Sequence, residues 1–250
     1  MEEDRKYPIL VLCNGTGVPL SKYESLARHY ASWGFVVIGT EGEYAWNGFG
    51  AEMCVRHLER LEEMKTIEEN NTQKENPFYH RLDLDRIGII GHSQGAAGVF
   101  NAITAQPHHE IYKAAVALSL TNLQLAENLE WDYDPKKVET PVLLISGAGG
   151  GDDWVVTGDQ LKEIYNEIPS SKVMARRVNT PHAEVLYEPD GYTIAWMLWI
   201  LCGDEEAAKA FTGNNPELLS KKLYQDGITK QIRTSFMSKG HKIQSLYCYC

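Results

Sequence analysis

The sequence predicts an α/β protein built on a mostly parallel sheet that is covered by helices on both faces. Six runs rich in β-branched and aliphatic residues recur at 9–13, 35–39, 87–91, 114–120, 142–146 and 173–178. Most are continuously apolar rather than alternating, as strands must be when neither face meets water. Helical stretches separate them, and that alternation calls for parallel strands joined by right-handed crossovers. A length of 250 residues suits one shared core better than two small ones.

Taken in order, the first strand runs into the glycine-rich loop Cys13-Asn-Gly-Thr-Gly17. Ser21-Lys-Tyr-Glu24 has the form of a capping box, with Leu26, Ala27, Tyr30 and Trp33 following on one helical face. After the second strand comes an aromatic loop containing Tyr44, Trp46 and Phe49. Residues 51–69 place Val55, Leu58 and Leu61 at helical spacing, opposite a Glu-rich face that reads as solvated, and 70–76 are polar enough for a surface loop. A helix over 94–106 is stopped by Pro107. Thr157-Gly-Asp-Gln160 is a second capping box and opens a fourth helix. A fifth spans 191–201, with Trp196, Met197 and Trp199 expected in the core.

Only about 20 residues separate the strand ending at Leu120 from the one starting at Val142, too few for a separate lid domain. The site should therefore be open. All 34 acidic residues precede 227, whereas Lys230, Arg233, Lys239 and Lys242 follow it. The reading is a single domain over 1–226 and a basic C-terminal tail over 227–250.

Composition excludes several classes. Apolar residues at 43% and charged residues at 23% fit a folded globular chain. The longest apolar stretch, 194–202, falls well short of the roughly 20 residues a membrane-spanning helix needs. A net charge of −10 opposes contact with a phosphate backbone, so nucleic acid is not an expected partner. Five cysteines, at 13, 54, 202, 248 and 250, are an odd count with no zinc-like spacing, which predicts free thiols and no metal site. The acidic start, Met-Glu-Glu-Asp-Arg-Lys, lacks the basic and then apolar run of an export signal, so the expectation is a cytoplasmic protein as written. The sequence does not indicate an oligomeric state.

The chemistry concentrates in Gly91-His-Ser-Gln-Gly95, directly after one apolar strand and directly before the small-residue start of a helix. A nucleophile elbow needs that context, because the turn is too tight for side chains at its flanks, and glycines there let Ser93 project. A serine hydroxyl needs a base to take its proton and an acid to hold the base in the right tautomer. Of the downstream histidines, His108 and His109 follow the elbow helix and His241 lies in the tail. His182 follows a strand through Asn179-Thr-Pro, at the sheet edge where ligands gather in α/β folds, and is the expected base. The acid should follow the strand over 142–146, where Asp152 and Asp153 are adjacent; Asp153, four residues before the Thr157 cap, is favoured over Asp152. The oxyanion needs two preorganised N–H donors, expected from the backbone of Gln94 and of Thr16. Tyr44, Trp46 and Trp154 lie in loops at the same edge and are candidate walls for substrate, or else loop anchors packed on the core.

These segments together resemble the α/β-hydrolase superfamily: Gly-Phe-Val-Val-Ile at 34–38, Leu-Asp-Leu-Asp-Arg-Ile-Gly-Ile-Ile-Gly-His-Ser-Gln-Gly-Ala at 82–96, the aspartate pair and Pro181-His182. The nearest likeness is to the branch of cutinase-like polyester hydrolases, chlorophyllase-like and dienelactone-hydrolase-like enzymes. Over about residues 7–202 the resemblance implies an α/β-hydrolase fold and a serine esterase that acts on small-molecule esters without metal or organic cofactor. It assigns catalysis to Ser93, Asp153 and His182, with Thr16 and Gln94 as oxyanion groups. Such a set would also serve acyl transfer, thioester or amide cleavage, and a non-catalytic member of the fold would keep the same scaffold. Three departures stand out. Family members usually have two more strands before the first, whereas only eight residues precede it here: either the sheet is reduced or an N-terminal segment has been lost, and that segment could also carry an export signal. Gln94 replaces the family's Met after the nucleophile. No aromatic clamp residue occurs in Ser119-Leu-Thr-Asn122, which argues against polyester substrates.

Overall fold

Residues 5–69 and 71–230 are described by the computed structural model, which centres on a seven-stranded sheet of order β2-β1-β5-β6-β7-β8-β9. Its strands are β1 (Tyr7–Cys13), β2 (Val36–Gly39), β5 (Leu82–His92), β6 (Tyr112–Leu118), β7 (Val142–Ala148), β8 (Lys172–Val178) and β9 (Tyr224–Thr229). A separate hairpin pairs β3 (Thr66–Glu69) with β4 (Thr72–Glu75). Every neighbouring pair in the main sheet is parallel except β8 and β9. The helices are α1 (Glu24–Ser32), α2 (Phe49–Glu63), α3 (Gln94–Thr104), α4 (Leu123–Asn128), α5 (Gly158–Glu167), α6 (Asp190–Cys202), α7 (Glu205–Ala208) and α8 (Glu217–Ser220).

Continuous apolar strands divide their side chains between two cores, because successive residues point to opposite faces. Ile9, Val11 and Cys13 of β1 join residues of α2, α3 and α5. Leu10 and Leu12 join residues of α1 and α6 on the other side. Trp196, Met197 and Trp199 are buried there as the sequence predicts, Trp196 meeting Phe211 edge-on at 5.2 Å. The parallel arrangement puts the C-terminal ends of β1, β5, β6, β7 and β8 along one edge. Between β6 and β7 the chain forms α4 and a single 3₁₀ turn at Pro135–Lys137, with no lid domain.

Four local expectations change. The Thr157 capping box forms, with Gln160 and Thr157 bonded reciprocally, but the Ser21 box does not. A 3₁₀ turn, Leu20–Tyr23, precedes α1, and the Ser21 amide and hydroxyl bond the Glu41 carboxylate at 3.0 and 2.8 Å. Trp33 ends α1 outside its apolar face and is half exposed. The helix predicted over 51–69 stops at Glu63, because the Asn76 amide caps its last turn by donating to Leu61 O and Met64 O at 2.7 and 2.6 Å. The chain then turns back as the β3–β4 hairpin where a loop was expected.

The sheet gains β9, whose polar sequence carries no strand signal. It crosses the 226/227 boundary and closes one edge by antiparallel pairing with β8. The tail beyond Lys230, with His241, Cys248 and Cys250, lies outside the described residues. Cys13, Cys54 and Cys202 are free thiols, and burial pushes the Cys54 thiol up to about 12. No helix among the described residues is long and apolar enough to cross a membrane.

Candidate active site

Ser93 stands between β5 and α3 at φ 58° and ψ −123°, a conformation that side chains other than glycine rarely adopt. The flanking glycines explain how the chain can be so tight there. A Cβ on Gly91 would run into the Gly95 carbonyl oxygen, and one on Gly95 into the carbonyl oxygen of Cys13. From the neighbouring strand end, Leu118 O accepts the Ser93 amide at 2.9 Å.

His182 opens a 3₁₀ turn that follows β8 through Asn179, itself at φ 55°. Its Nε2 lies 2.9 Å from Ser93 Oγ and its Nδ1 2.6 Å from Asp152 Oδ1. An ionised carboxylate can only accept, so Nδ1–H donates to Asp152 and Nε2 is free to accept from the serine hydroxyl.

The carboxylate at His182 is thus Asp152, and the expectation of Asp153 is corrected. β7 runs two residues past its predicted end, and Gly149, Gly150 and Gly151 follow with φ of 75°, 66° and 99°. This left-handed glycine run folds the chain back so that Asp152 points inward, wholly buried. Asp152 Oδ2 accepts from the Gly147 amide at 2.5 Å and from Ser119 Oγ at 2.9 Å. Asp153 faces the other way. It pairs with Arg176 of β8 and accepts from the Gly149 amide at 2.8 Å. Burial alone would raise the Asp153 carboxyl, but the hydrogen bonds from Arg176 and Gly149, with the guanidinium charge, hold it below its usual range.

The loop after β1 packs on the elbow. Gly15 N donates to Tyr23 Oη at 3.2 Å and Gly17 N to Glu43 O at 2.9 Å, which brackets the exposed Thr16 between two fixed residues. As the first residue of α3, Gln94 has no preceding helical turn to accept its amide. Its side chain is buried and accepts from Ala45 N at 2.8 Å, tying the aromatic loop to the elbow.

Tyr44 is 66% exposed, and its chain neighbours Glu43 and Ala45 are bonded to Gly17 and to the Gln94 side chain. Trp154 is 67% exposed, with its ring 5.4 Å from that of His182. Trp46 is placed differently. Its carbonyl accepts from Asn101, two turns along α3 from Ser93, which makes it an anchor for the loop.

Three neighbours carried no role in the sequence reading. His92 is buried, and its Nε2 donates to His182 O at 2.8 Å, with the two rings 4.7 Å apart. Burial first, then the neighbouring His182, pushes the His92 imidazole down to about 4, so it is neutral. Ser119 and Tyr23 hold the acid and the Gly15 loop. The only signal for any of them is a polar side chain next to a strand end or a glycine turn.

The sequence matches the PET hydrolase-like family (PETase) over residues 4–226. The chain belongs to that family. It is accordingly a hydrolase of the α/β-hydrolase fold, as the seven-stranded sheet and its flanking helices also show. Among curated proteins no match is found. Within this PET hydrolase-like chain, the sheet edge that holds Ser93, His182 and Asp152 lies wholly inside the matched residues.

Proposed function

We propose that the protein is a serine carboxylic-ester hydrolase that works through an acyl-enzyme on Ser93. The observation that carries this is His182 bridging Ser93 Oγ at 2.9 Å and Asp152 Oδ1 at 2.6 Å. His182 Nε2 takes the hydroxyl proton as Ser93 Oγ attacks the acyl carbon, and Asp152 steadies the imidazolium. The amides of Thr16 and Gln94 receive the oxyanion, an interaction in which each donor is worth roughly 3 kcal/mol of barrier. The imidazolium then protonates the departing alcohol. Water, activated by the same histidine, attacks the acyl-enzyme and releases the acid.

No lid lies between β6 and β7, the Trp154 ring faces His182, and Tyr44 is exposed on the loop tied to Gln94, which favours small or medium acyl esters entering from solvent. Trp46, held along α3, is not assigned to this pocket. Hydrolysis of short p-nitrophenyl esters tests the reading. The wild type should exceed Ser93→Ala by at least about 10³-fold. Equal rates would overturn it.

A further inference from the structure

We infer that Ser119 is a positioning residue that fixes the acid of this site relative to its nucleophile. The inference rests on the proposed roles of Ser93, His182 and Asp152. Ser119 follows β6, is wholly buried, and sits at φ 47°. Three contacts converge on it and its preceding peptide. Leu118 O accepts the Ser93 amide at 2.9 Å, Ser119 N donates to Ile145 O of β7 at 2.7 Å, and Ser119 Oγ donates to Asp152 Oδ2 at 2.9 Å. One dipeptide thus spans from the elbow to the carboxylate. Glycine would adopt φ 47° without strain. What serine adds at this position is a single hydroxyl, and it is spent on Asp152.

The consequence is chemical as well as geometric. With Ser119 and the Gly147 amide both on Oδ2, Oδ1 is left to His182, and part of the negative charge is drawn away from the imidazole. Without the Ser119 hydroxyl the carboxylate turns more freely, and its charge concentrates on the histidine side. Activity should fall through poorer orientation, and the imidazolium should become easier to form, which moves the acid limb of the rate profile to higher pH. The other groups facing this pair stay in place: neutral His92 from the end of β5, and Asp153 already paired with Arg176 of β8.

The test compares wild type, Ser119→Ala and Ser119→Gly between about pH 5 and 9. Two rates are measured: labelling of Ser93 by a fluorophosphonate, and turnover of p-nitrophenyl butyrate. Both variants should react roughly 10- to 100-fold more slowly, with KM within about twofold of wild type and the acid limb shifted upward by the same amount in each. Ser119→Gly relieves the backbone, so its melting temperature should equal or exceed that of Ser119→Ala, and it supplies the folded comparison if the alanine variant unfolds. Rates within about twofold of wild type overturn the inference, as does a loss in Ser119→Ala that Ser119→Gly restores. A wild type that labels at Ser93 while the variants match it sinks only the role of Ser119. A wild type that does not label sinks the triad reading, and this inference with it.

Discussion

Asp152 and Asp153 are neighbours of identical chemistry, and the backbone alone decides what each can do. Asp152 is wholly buried with its oxygens filled by Ser119, Gly147 and His182, whereas Asp153 is turned to Arg176. Asp152→Asn would leave the imidazole in the wrong tautomer and should lower kcat by about 10⁴-fold. Asp153→Asn should keep kcat within about threefold. Steady-state kinetics of both variants on one p-nitrophenyl ester checks the pair. That an aspartate follows β7 was legible in the sequence, because the acid must leave the strand before the histidine's. Which of the two serves was not, since the answer depends on three consecutive glycines taking positive φ. His92 and Ser119 were equally hidden. Each has meaning only through a partner about 30 or more positions away in the chain, His182 for one and Asp152 for the other.

At the level of elements, the two capping patterns are a matched contrast. Thr157 receives the Gln160 amide and returns the favour through Gln160 Oε1, so α5 begins where its sequence says it should. Thr157→Ala should lower stability by about 1 kcal/mol, read by chemical denaturation, while leaving kcat unchanged. Ser21 has the same spacing to Glu24, yet Glu41 captures it and the pattern is not used as a cap. Local spacing states what a segment can do alone; a carboxylate from a neighbouring loop can outbid it. The buried parallel strands were legible because covering both faces requires unbroken apolar runs. The β3–β4 hairpin and β9 were not, because strands that meet water need no such run: the hairpin is held by its pairing, and β9 sends only Tyr224 and Ile228 toward the cores.

For the molecule as a whole, the neutral His92 links stability to pH. In the folded chain its imidazole sits at about 4, against an ordinary 6.5. Between those values the unfolded chain takes up a proton that the folded chain refuses. Stability should therefore decline as pH falls through this window and level off below it, by an amount on the order of 3 kcal/mol. Melting curves of wild type and His92→Phe across the window give the measurement, and the difference between the two should vanish in slope above the ordinary histidine range. The Tyr44 loop shows how the pieces are coupled on this scale. Asn14 Nδ2 donates to Gly42 O at 2.6 Å, Gly17 N reaches Glu43 O, and Ala45 N reaches Gln94 Oε1. The Tyr44 segment is therefore fastened to the loop of Thr16 and to Gln94, the proposed oxyanion groups, while Trp154 rides on the loop of Asp152 with its ring 5.4 Å from that of His182. The two segments differ in modularity. A protein engineer who wants to widen or reshape the acyl pocket without disturbing the reaction should vary the exposed Tyr44 side chain, since the tethers of that segment run through backbone groups of its neighbours, and leave position 154, whose ring faces His182, as it is.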